Sequence, residues 1–204
     1  MGATPSTNLE SRSRAILVRT AASAIHARLA GAVHAEPGLE GLPVELRTER
    51  ASFVTLTIEG ELRGCCGTIE PRRALALDVW RNAQVSAFED PRFPPLAASE
   101  WTQVDLEIAV LSPLERIETT GEAQLLQVLE PGRDGLVIAW RGRRATFLPK
   151  VWEHLREPRD FLERLKAKAG WPAGFWAADV EAWRYRTESF GADRREIASF
   201  IDPV

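Results

Sequence analysis

Ser52-Phe-Val-Thr-Leu-Thr-Ile-Glu-Gly-Glu-Leu-Arg-Gly-Cys-Cys-Gly67 is the stretch whose reading decides the fold. Val54, Leu56 and Ile58 alternate with Thr55, Thr57 and Glu59, the period-two pattern of a strand with one buried face. Glu59-Gly60 supplies a tight turn, and residues 61 to 69 return as the second strand of a hairpin. Outward from this hairpin, Val104, Leu106, Ile108 and Val110 face one way in a further strand, with Asp105 and Glu107 facing the other. Residues 136–140 and 143–148 flank Arg141-Gly142 as a second hairpin. A last strand carries Trp183 and Tyr185 and ends near Phe190.

Helices are expected between these strands. Leu17, Ala21, Ala24 and Leu29 recur at helical spacing over residues 9 to 30, with Gly31 as the stop. Pro71 opens a helix running to Phe88. A short helix covers residues 122–129. Pro149 and Pro158 each suit a first turn, and Gly170 ends the second of these two helices. Asp90-Pro-Arg-Phe-Pro-Pro95 cannot be regular, because three prolines remove backbone donors and restrict their neighbours. Hairpins dominate the strand pairing, so the fold class is α+β: a mainly antiparallel sheet with packed helices rather than a doubly wound parallel sheet.

Hydrophobic residues make up 45% and charged residues 27% of 204, which excludes a disordered or fibrous chain. Formal net charge is -3, whereas a phosphate-neutralising protein carries a basic excess, so nucleic acid is not expected as a partner. No run approaches the roughly 18 apolar residues that span a bilayer, and no apolar leader opens the chain, so no membrane association is expected. The two cysteines are neighbours, Cys65 and Cys66, which rules out a disulfide framework and points to the cytoplasm. The three histidines, His26, His34 and His154, are scattered, so no metal and no cofactor are expected. Of the seven tryptophans, five fall in the last third, where large rings can pin together a small lobe.

Chemistry concentrates at Leu62-Arg63-Gly64-Cys65-Cys66-Gly67. In an extended chain, residues two apart share a face. With Leu62 taken as core, Gly64 and Cys66 follow it inward, and Arg63 and Cys65 turn outward together. A guanidinium beside a thiol favours the nucleophilic thiolate, and the glycines leave room for close approach. The blander alternative is an inert cysteine in a glycine-rich strand, with Arg63 paired to a carboxylate. Asp90, Arg92, Asp105 and Glu107 are candidates for the same pocket or for an ordinary ion-pair network. Thr146 precedes Phe147-Leu148-Pro149, where a strand gives way to a helix whose first N–H groups suit an anion.

These motifs resemble those of the AMMECR family. Leu62-Arg-Gly-Cys-Cys-Gly-Thr-Ile69 is similar to its Leu-Arg-Gly-Cys-Ile-Gly signature, and Ser86-Ala-Phe-Glu-Asp-Pro-Arg-Phe-Pro-Pro-Leu96 to its Ala-Phe-x-Asp-Pro-Arg-Phe-x-Pro-Leu. The likeness resumes at Val104-Asp-Leu-Glu-Ile-Ala-Val-Leu-Ser-Pro113, Asp134-Gly-Leu-Val-Ile138 and Gly142-Arg-Arg-Ala-Thr-Phe-Leu-Pro-Lys-Val-Trp152. Cys66 departs from the signature's apolar residue, which leaves Cys65 as its cysteine. The resemblance implies a larger lobe plus a smaller lobe, packed together over residues 9–190; tails are expected at 1–8 and 191–204. It also implies company, since prokaryotic relatives are associated with a Memo-like protein and a radical-SAM protein. It supplies no settled reaction.

Two functions follow as expectations. In the first, which is preferred, the protein is an enzyme acting on a small molecule or modified macromolecule. Cys65 is the nucleophile, Arg63 holds an anionic group, and Glu107 moves protons or orients Arg63. Gly64, Gly67, Asp90, Arg92 and Thr146 bind substrate. In the second, the chain is a non-enzymatic binding or assembly module working with the Memo-like and radical-SAM proteins, and Cys65 is structural.

Overall fold

The computed structural model describes residues 9–32 and 35–200, the side chain of Phe200 excepted. The expected tail at 1–8, His34 and residues 201–204 lie outside the described residues. The chain divides into two compact units, one comprising residues up to Leu111 together with those from Glu188, the other Ser112–Thr187.

The first unit opens with α1 (Ser11–Leu29), which buries Leu17, Ala21, Ala24 and Ile25 along one face. Gly31, at φ 68°, ends it. After a short α2 (Val44–Arg47) come β1 (Ser52–Ile58), β2 (Glu61–Gly67) and α3 (Leu75–Phe88). Residues 71 to 74 are not helical as expected. Ala74 bridges Glu49 and the Leu75 N–H is taken by the Thr48 carbonyl, so the chain stays extended until Leu75. The brief α4 (Ala98–Trp101) leads into β3 (Val104–Leu111).

β4 (Glu115–Arg116), α5 (Glu122–Val128), β5 (Gly135–Trp140), β6 (Arg143–Phe147), a 3-10 turn (Pro149–Glu153), α6 (Pro158–Lys168) and β7 (Glu181–Tyr185) form the second unit. The expected β5–β6 hairpin is present, with Arg141 and Gly142 both at positive φ in its turn. Its strands order as β4-β7-β5-β6. Leu136, Ile138, Phe161, Leu162 and Leu165 make its core, with Trp152 stacked on Phe161 at 3.8 Å. Trp152 and Trp171 are buried there, as expected of large rings in a small lobe.

Two expectations for the C-terminus are corrected. The single last strand is two: β7 belongs to the second unit, and β8 (Thr187–Ala192) joins the first sheet in the order β2-β1-β3-β8. The expected tail from 191 instead completes β8 and forms α7 (Arg194–Phe200), whose Ile197 is buried in the first unit's core. Asp193 and Glu196 make a reciprocal capping box at its start: each accepts the other's backbone N–H. The pairings β1–β2 and β1–β3 are antiparallel, as are β4–β7, β5–β6 and β5–β7, so the structure is α+β with helices packed on antiparallel sheets. Among the described residues no helix is long and apolar enough to cross a membrane.

Candidate functional site

The first sheet has an inner face packed on α1 and α3, which carries Val54, Leu56, Leu106 and Ile108. Directly opposed residues of antiparallel strands share a face. Gly64 pairs with Leu56 and Cys66 with Val54, so both lie on the inner face, while Cys65 pairs with Thr55 on the outer one. Thr55 pairs in turn with Glu107 of β3. Burial pushes the Cys66 thiol up.

A bulge decides this arrangement. Thr57 faces Leu62 and Leu56 faces Gly64, leaving Arg63 as the extra residue on β2. Uninterrupted pairing from the Glu59-Gly60 turn would set Cys65 against Val54, facing the core. Cys65 therefore faces out because Arg63 bulges. Leu62 is not a core residue as expected: it is 41% exposed on the outer face. The inward place of Cys66 holds, but for a different reason.

β2 is an edge strand, and the polar backbone of Cys65 points away from β1. A side-chain pair from the proline-rich loop meets it. The Cys65 N–H donates to Asp90 Oδ2 at 2.9 Å, and Arg92 Nη2 donates to the Cys65 carbonyl at 3.2 Å. The two side chains are locked together, Arg92 Nε to Asp90 Oδ1 at 3.0 Å and Nη2 to Oδ2 at 2.7 Å. The Arg92 fork, with the N–H groups of Cys65 and Arg92, holds the buried Asp90 carboxyl well below the usual carboxylate range. Asp90 and Arg92 thus occupy the edge as a neighbouring strand would.

Arg63 is held in the same way. Its Nε donates to Glu100 Oε1 at 2.7 Å and its Nη2 to Oε2 at 2.9 Å, a bidentate pair. Glu100 also accepts the Ala97 N–H at 2.9 Å at the start of α4. Arg63, with help from that N–H, holds Glu100 down to about 2. The Phe93 ring is within cation–π reach of both guanidinium groups, its centroid 5.9 Å from Arg63 and 5.6 Å from Arg92.

Of the expected site residues, the structure gathers Arg63, Gly64, Cys65, Asp90 and Arg92 around one turn of loop and strand. Gly67 is beside them: a Cβ there would fall on the Phe53 ring, so the glycine makes room for that ring on the outer face. Glu107 shares the outer face but stands two strands from Cys65, about 10 Å by strand spacing. The carboxylate that orients Arg63 is Glu100, not Glu107 as expected. Thr146 lies in the second unit and is buried, its Oγ1 bonded to the Leu136 carbonyl at 2.9 Å and 2.7 Å from Tyr185 Oη. That hydroxyl is engaged in holding its own sheet rather than presented to an anion.

Three residues were missed in the sequence. Thr55 brings Oγ1 within 3.4 Å of Cys65 Sγ. Ser86 ties α3 to β1 through the Val54 carbonyl at 2.8 Å. Glu100 had a legible signal, a glutamate at the third position of a short helix, where it reaches back to the first turn.

A protein-family model described as AMMECR1 matches residues 18–190. A protein of Methanothermobacter thermautotrophicus is 34% identical over 180 residues, 87% of this chain and 93% of that one. A Thermotoga maritima protein is 36% identical over 154 residues, 74% of this chain and 83% of the relative. The crystal structure of an uncharacterised protein from Pyrococcus horikoshii superimposes with a TM-score of 0.82 at 30% identity, covering 90% of this chain and 93% of that chain.

Proposed function

This chain belongs to the AMMECR1 family, and from that premise we propose that it works as a recognition module whose contact surface is the outer face around Cys65. One observation carries the reading: the strong donors around the thiol are already engaged within the protein. The Cys65 N–H serves Asp90, Arg92 serves Asp90 and the Cys65 carbonyl, and Arg63 serves Glu100. An acyl- or phosphoryl-transfer centre needs such donors aimed at the reacting group instead. Here they fasten the proline-rich loop to the signature strand. The result is a stiff platform with exposed Leu62, Pro94 and Pro95 at its rim, the kind of preorganised surface a protein partner can use. The Memo-like and radical-SAM proteins that the family resemblance implies are the first candidate partners.

Thiol-dependent catalysis by Cys65, with Glu107 as proton carrier, is the second reading. The Thr55 hydroxyl at 3.4 Å from Sγ favours it, since a donor to sulfur assists a thiolate.

Calorimetric titration of a Memo-like and of a radical-SAM protein into the chain separates the two. The module reading expects Cys65→Ser to bind within about twofold of the unmodified protein, and Leu62→Asp to weaken binding about tenfold or more. Binding that is lost with Cys65→Ser and kept with Leu62→Asp contradicts it. Binding of neither protein removes both from the reading.

A further inference from the structure

We propose that Glu100 sets the charge selectivity of the Cys65 face: by holding the Arg63 fork it removes the face's receptor for anions, leaving a face that takes neutral groups. The inference rests on the reading of this face as a recognition surface and specifies what that surface accepts.

An unoccupied arginine fork is the best side-chain receptor for a carboxylate or phosphate, because its parallel N–H groups match two oxygens at once. In this fold that edge is filled. Nε and Nη2 of Arg63 both point at Glu100, Nη2 also lies 3.5 Å from the Pro95 carbonyl, and the side chain is only 11% exposed. Glu100 is not a casual surface partner, since the Ala97 N–H fixes it from behind. Arg92, the second cation of the site, is likewise forked by Asp90. Each positive charge thus has its own carboxylate, and the local sum is zero.

Removing the charge of Glu100 alone would expose a guanidinium two residues from Cys65, within one Debye length of the thiol. The thiol itself can report this. In a Cys66→Ile background, Cys65 is alkylated with iodoacetate, which is anionic, and with iodoacetamide, which is neutral. The ratio of the two rates is divided by that of the uncharged N-acetylcysteine amide.

The expected normalised ratio is within about twofold of unity for the parent protein and rises roughly threefold or more in Glu100→Gln. Adding Arg63→Met to Glu100→Gln should restore the parent ratio. Arg63→Met alone, which strands the Glu100 charge, should lower it, and this variant serves if Glu100→Gln does not fold. Equal changes with both reagents would make Glu100 a scaffold residue only and overturn the inference. A rise that survives Arg63→Met would overturn it as well.

Native protein that neither reagent labels would count against the exposed-surface reading instead. The selectivity is then read from sulfate against chloride at equal ionic strength. A larger gain in denaturation midpoint for Glu100→Gln than for the parent supports the inference, and equal gains overturn it.

Discussion

Replacing Gly64 by valine is expected to cost about 3 kcal/mol or more of stability, read as a fall in the denaturant midpoint at unchanged slope. Gly64 lies on the inner face of β2, directly against the backbone of α3. A Cβ built there falls inside the envelope of the Ser86 carbonyl oxygen and close to its carbonyl carbon. Neither atom can rotate away. Ser86 is also pinned from its other end, because its hydroxyl donates to the Val54 carbonyl at 2.8 Å. Helix and sheet must therefore separate along their whole contact, opening voids beside Val54, Ala83 and Ala87. Alanine at 64 should already show most of the loss. Gly67→Ala is the informative contrast, since the atoms nearest its Cβ are those of the Phe53 ring, a side chain on the half-exposed outer face that can turn. A loss at Gly64 no larger than that at Gly67 would mean that α3 does not lie on β2 as described.

Asp78→Ala is expected to cost about 3 kcal/mol, because it strands four donors at once. The Asp78 carboxylate is fully buried, and Oδ2 accepts from the Ser52 N–H at 2.9 Å, the Ser52 hydroxyl at 2.7 Å, the Thr68 hydroxyl at 2.9 Å and Asn82 Nδ2 at 2.9 Å. It joins the start of β1, the residue after β2 and the body of α3 in one node. The other oxygen has no hydrogen bond, and the nearest cation, Arg73 Nε, is 3.8 Å away. Burial raises the carboxyl against the pull of its donors, so the ion itself is under strain and the loss is smaller than four separate bonds would suggest. Asp78→Asn should lose less, because its carbonyl keeps the donors and only the amide is left without an acceptor. Equal midpoints for Asp78→Ala and the parent protein would remove this node from the account.

What could be read without coordinates follows from period and punctuation. Alternation at Val54, Leu56 and Ile58, the Glu59-Gly60 turn and the Arg141-Gly142 turn were enough for both hairpins and for the α+β class. The faces of β2 were harder. The assignment of Cys66 inward and Cys65 outward is correct, yet it came from treating Leu62 as core, and Leu62 is exposed. The bulge at Arg63 supplies the missing half-period, and a single inserted residue leaves no trace in a hydrophobic pattern.

Long-range polar pairing was likewise invisible. Arg63 and Glu100 are 37 positions apart, and nothing local favours Glu100 over Glu107 as the partner. At the C-terminus the misreading had a local remedy: Asp193 and Glu196 spell a capping box, and Ile197 marks the buried side of the helix that follows.

The exchange rate of a single amide, that of Cys65, tests the central claim most directly. The account holds that this N–H, though it points off an open sheet edge, is engaged by Asp90 and is not a donor waiting for a substrate oxygen. Hydrogen exchange followed by NMR should therefore find it as slow as the laddered amides of β1, and Asp90→Ala should release it while Thr55 stays protected. An amide at Cys65 that exchanges in the native protein as fast as an unprotected one would contradict the account and return that N–H to the catalytic reading.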